Sequence, residues 1–123
     1  MSGRLEGKVA IITGGAGGIG VATGVLFCEQ GCRVVLVDSN AEAMQAAVSS
    51  IRAAVPTAQI VPVVADVGLE ETATHVVAET MKAFGALDVL VNLAGIRAYE
   101  PLAEAKRNTW DTLIKVNLLS YAN

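Results

Sequence analysis

Thr13-Gly14-Gly15-Ala16-Gly17-Gly18-Ile19-Gly20 falls where a short β-branched run, Lys8-Val-Ala-Ile-Ile-Thr13, must give way to a helix. Backbone without Cβ atoms can come close to a diphosphate, and the free N–H groups and dipole of the following helix attract its negative charge. Glycine spacing alone fits a ligand-free tight connection equally well. Asp38 narrows the choice. It closes the next apolar run, Arg33-Val-Val-Leu-Val-Asp38, eighteen residues beyond Gly20, where an acid accepts hydrogen bonds from both hydroxyls of an adenosine ribose. It also stands where it can cap the following helix, and the two roles can coexist. A carboxylate here disfavours a 2′-phosphate, and neither Gly17 nor Ser39 offers a compensating cation, so NAD is expected in preference to NADP. The absence of Gly-Lys-Ser/Thr excludes a Walker-type loop.

Outward from this turn, apolar periodicity alternates between short runs and amphipathic segments. Gln59-Ile-Val-Pro-Val-Val-Ala65 and Leu87-Asp-Val-Leu-Val-Asn92 join the first two runs as short strands of the buried kind. Met44, Ala47, Val48, Ile51 and Val55 recur at helical spacing, and Ser39-x-x-Glu42 before them has the form of a capping box. Leu69, Thr72, Ala73, Val76, Thr80 and Phe84 repeat the pattern, with Gly85 placed to stop the helix. The order βαβαβαβα predicts an α/β, doubly wound parallel sheet (Rossmann) with right-handed crossovers and helices on both faces. Pro62 removes a ladder donor, so the third strand belongs at an edge, where the strand order 3-2-1-4 puts it.

Composition bounds the rest. The chain has 123 residues, 53% hydrophobic against 17% charged, enough apolar surface for one folded domain. A net charge of -3 gives nucleic acid no reason to approach. Val9 to Cys28 carries no charge, but Gly14, Gly15, Gly17, Gly18, Gly20 and Gly24 interrupt it, so it reads as neither a membrane span nor a targeting segment. Cys28 and Cys32 match neither a redox pair nor a zinc spacing and read as core residues in a reducing, cytoplasmic compartment, with no metal expected. His75, the only histidine, reads as a helix-surface residue rather than a catalyst.

Together these residues resemble the short-chain dehydrogenase/reductase family over nearly the whole chain. Thr13-Gly14-x-x-x-Gly18-x-Gly20 is similar to the family's cofactor turn, and the resemblance implies that Ile19 lies against the nicotinamide end. Asp66-Val67 resembles the pair that holds the adenine ring, the carboxylate toward the exocyclic amine; capping of the third helix is the other reading of Asp66. Asn92-Leu93-Ala94-Gly95 resembles an Asn-Asn-Ala-Gly segment, with Leu93 departing from it. Asn117 matches a helix asparagine that supports a water in a proton relay.

The resemblance implies hydride transfer between NAD and a small-molecule alcohol or carbonyl. The family's catalytic serine, tyrosine and lysine are not assignable, since Lys8, Lys82, Lys106 and Lys115 fit no Tyr-x-x-x-Lys with Tyr99 or Tyr121. The expectation is therefore an NAD(P)-binding Rossmann domain over 1–123, part of a longer enzyme, with the last apolar face (Trp110, Leu113, Ile114, Asn117, Tyr121) running to the end. A homo-oligomer, dimer or tetramer, is expected, with Trp110 and Tyr121 as contacts or as interior residues. Rivals are a nucleotide-binding module or truncated fragment without redox activity and a methyltransferase, whose glycine turn follows an acid where Thr13 stands; by itself this stretch is expected to bind cofactor without turnover.

Overall fold

In a computed structural model of the chain, residues 3–94 are described. Gly95, Trp110, Asn117 and Tyr121 lie outside the described residues. The elements run β1 (Val9–Thr13), α1 (Gly18–Glu29), β2 (Arg33–Asp38), α2 (Ala41–Ala54), β3 (Ile60–Val64), α3 (Glu70–Phe84) and β4 (Val89–Asn92). All pairings are parallel, in the order β3-β2-β1-β4, as the alternation predicts.

Strand residues divide by parity between two faces, as the pleat requires. Ala10, Ile12, Val34 and Leu36 point to one side and pack with Cys28, Met44 and Ile51 of α1 and α2 or the chain just beyond. Ile11, Val35, Val37 and Val63 point to the other and meet Val76 and Phe84 of α3. Full burial of a side chain such as Ile51 contributes about 1.5–3 kcal/mol. Gly24 lets α1 come close to α2, because a Cβ there would sit 2.8 Å from Ile51 Cδ1.

Only β1 and β2, each flanked on both sides, are buried along their apolar lengths. β3 and β4 were expected to be buried too, but Val64 is 52% and Leu90 57% exposed. The reason is position: within the described residues each of these strands has a neighbour on one side only. Pro62 sits opposite Leu36 on the edge strand β3, where its missing donor breaks no ladder.

The start of α2 differs from the sequence reading by one residue. Asn40, not Ser39, is the N-cap, its side chain accepting the Ala43 N–H at 3.0 Å. Asp38 Oδ1 accepts the Asn40 N–H at 3.3 Å and so draws Ser39 into the turn. Leu69 is the N-cap of α3 and is exposed, off the buried face expected of it. Gly85 ends α3 in the left-handed region at φ 73°, as placed from sequence.

Candidate functional site

β1, β2 and β4 end side by side, and the loops after them and after β3 border one crevice. Gly14, Gly17, Asp38, Ser39, Asp66, Val67, Leu93 and Ala94 are among its lining residues. Of the residues singled out from sequence, the structure thus brings Gly14, Asp38, Asp66, Val67 and Ala94 together. Asn92 lines a neighbouring apolar hollow with Thr13, Val67 and Leu90. Gly20 is buried under the turn, and Ile19 is 72% exposed beside it.

The glycines differ in what requires them. Gly14 adopts φ +68°, and a Cβ on it would lie 2.7 Å from the Leu93 carbonyl carbon and oxygen. A Cβ on Gly20 would overlap the Gly14 carbonyl oxygen. Both are fixed by the fold itself. Gly18 is not: its φ is outside the left-handed region and a Cβ there meets nothing within 4 Å. A residue that costs helix stability without relieving any internal contact points to a space kept open in front of it.

The electrostatics of α1's start agree. Its N-cap, Gly17, gives no side-chain hydrogen bond, and its first turn holds no acid, whereas α2 begins with Asn40 and Glu42 and α3 with Glu70 and Glu71. Among the described residues the N–H groups of Gly18, Ile19 and Gly20 find no acceptor; the next, Val21, reaches the Gly17 carbonyl at 2.8 Å. An uncapped, uncompensated helix start is an anion site in waiting.

Asp38 faces this turn from β2. Its Oδ2 accepts the Ala16 N–H at 3.1 Å while Oδ1 takes that of Asn40, so the carboxylate fastens the glycine turn to the second strand. Asp66 does not cap α3. Its Oδ1 accepts the Gly68 N–H at 2.8 Å, closing a tight turn that holds Val67 on the inner cluster.

Thr13 had no separate role in the sequence reading, yet it ties the two central loops together. Its Oγ1 accepts the N–H of Leu93 at 3.2 Å and of Ala94 at 3.4 Å, and lies 3.5 Å from Asn92 Oδ1. A hydroxyl at a strand end, next to a turn, was the available signal. Away from the crevice, His75 is exposed on α3. The Cys28 thiol is pushed up to about 11 by burial and by the neighbouring Cys32, whose own value is raised, mainly by burial.

No group of three or more His, Cys, Asp or Glu among the described residues is arranged to hold a metal ion. None of their helices is long and apolar enough to cross a membrane.

Residues 8–123 match the family described as short chain dehydrogenase, and the chain belongs to that family. It is 38% identical over 117 residues to the 2,5-dichloro-2,5-cyclohexadiene-1,4-diol dehydrogenase LinX of Sphingobium indicum, covering 95% of this chain and 46% of the relative. An NAD+-bound xylitol dehydrogenase superposes with a TM-score of 0.85 at 30% identity, over 95% of this chain and 45% of that one. L-sorbose reductase from Gluconobacter frateurii, complexed with NADPH and L-sorbose, gives 0.87 at 30% identity, over 99% and 46%. The chain thus spans about half the length of these relatives.

Proposed function

We propose that this chain supplies the cofactor-binding half of an NAD-dependent oxidoreductase acting on a small-molecule alcohol or carbonyl. The observation that carries the proposal is the pairing of an uncapped helix start, open in front of Gly18, with a carboxylate at the end of the adjacent strand. The residues present fit a dinucleotide. The diphosphate would lie over Gly14, Gly18 and Gly20 against the free N–H groups of α1, with Ile19 toward the nicotinamide. Asp38 would accept from both adenosine ribose hydroxyls, Asp66 and Val67 would hold the adenine, and Asn92, Ala94 and Gly95 would floor the site. Asn117, on this reading, supports the proton relay. When bound, the nicotinamide supplies a hydride donor or acceptor.

The choice of NAD over NADP is supported by Asp38, whose charge disfavours a 2′-phosphate and whose two oxygens already hold backbone N–H groups. Our reading includes a cytoplasmic homo-oligomer, the compartment supported by the buried free thiols Cys28 and Cys32 and the assembly by the family resemblance alone. Titration of Asp38→Ala and Asp38→Asn with both dinucleotides tests the cofactor choice. Loss of two charge-assisted bonds in Asp38→Ala should weaken NAD by about 100-fold or more and shift the preference toward NADP. An unchanged NAD-to-NADP ratio in both variants overturns it.

A further inference from the structure

α3 begins without help from its own flank. Neither Gly68 nor the N-cap Leu69 offers a side-chain oxygen, and no side-chain cap bond is made at Leu69. The missing support comes from inside the helix. Thr72, in the first turn, is 8% exposed, and its Oγ1 donates to the Asp66 carbonyl at 2.5 Å, six residues back. The Leu69 N–H reaches the same oxygen at 3.2 Å. Two donors therefore clamp the peptide that follows Asp66, and the Gly68 N–H clamps Asp66 Oδ1 from the other side. Oδ2 has no partner among the described residues.

We propose that Thr72 is a positioning residue for purine recognition: by fixing the Asp66 carbonyl it sets the direction in which the carboxylate faces the crevice. This rests on the assignment of Asp66 to the adenine made above. A carboxylate held in one orientation accepts from an exocyclic amine and repels a ring carbonyl in the same place, so the site distinguishes AMP from inosine monophosphate. A carboxylate free to swing accommodates both. Thr72 touches neither ligand and acts only through the turn.

The test is calorimetric titration of the full chain with AMP and with inosine monophosphate. Wild type should prefer AMP by about tenfold, the worth of one charged hydrogen bond. Thr72→Val keeps the volume and removes the donor; its preference should fall about threefold or more, and Thr72→Ser should restore it. A purely structural hydroxyl lowers the melting temperature without moving this ratio. If Thr72→Val melts lower but keeps the wild-type preference, the proposal is overturned. If Thr72→Val does not fold, Thr72→Ser against Thr72→Ala decides on the same ratio. Failure of wild type to bind AMP at all overturns the cofactor reading itself, a result distinct from an unchanged ratio.

Discussion

Gly18→Ala separates a glycine kept for a ligand from one kept for the fold. Gly18 is the first residue of α1, its φ is unstrained, and the added methyl meets no atom within 4 Å. The substitution restricts the unfolded chain at no cost to the folded one, so stability should rise by about 0.4–1 kcal/mol. On the proposed reading the diphosphate lies over Gly18, and the same methyl intrudes on it. A diphosphate forced back from the free N–H groups loses about 1–3 kcal/mol by analogy with overpacking, which is roughly 5- to 150-fold in affinity. Gly14→Ala should do the reverse to stability. It combines φ +68° with a Cβ 2.7 Å from the Leu93 backbone, so it should unfold the chain by about 2 kcal/mol or more. Urea denaturation and NAD titration on the same preparations read both quantities. A Gly18→Ala chain that binds NAD as wild type does would show that the open space is not the diphosphate's, and one that is destabilised would show that the space is not open.

Other consequences follow from contacts outside the crevice. Asp88 Oδ2 accepts the N–H of buried Val9 at 2.9 Å, while the Asp88 N–H reaches the Val9 carbonyl at 2.8 Å. Asp88→Ala strands a donor at the start of the central strand and should cost about 1–3 kcal/mol by urea denaturation, leaving NAD affinity in the residual folded fraction unchanged. The Cys28 thiol, held up at about 11 against an ordinary 9.0, keeps its proton in the fold after the unfolded chain has lost it. Between those values the unfolded state binds fewer protons, so stability is intact below pH 9 and declines toward pH 11. Cys28→Ala should flatten that decline in denaturation midpoints; an equally steep fall would assign it to other groups.

Strand order was readable because strands alternating with helices impose parallel pairing and Pro62 announced an edge by lacking a donor, whereas the exposure of β4 was not, since its run is as apolar as those of β1 and β2. The glycine turn and Asp38 were readable because few other constraints put those residue types at the ends of adjacent strands. The position of the α2 cap was not. Ser39 and Asn40 are comparable N-caps by type, and the choice between them is made by Asp38, whose carboxylate claims the Asn40 N–H. Thr72 escaped for a related reason: at helical spacing it counts as one more position on the buried face, and its bond to Asp66 spans a turn that periodicity does not describe. Thr13 carried its meaning only once β1 and β4 were known to be neighbours.

Pro62 also guards one border of the sheet. A foreign strand arriving at β3 finds one position with no hydrogen to share, because Pro62 stands on that strand opposite Leu36. That border is thereby shielded from edge-to-edge pairing by the residue that marks it.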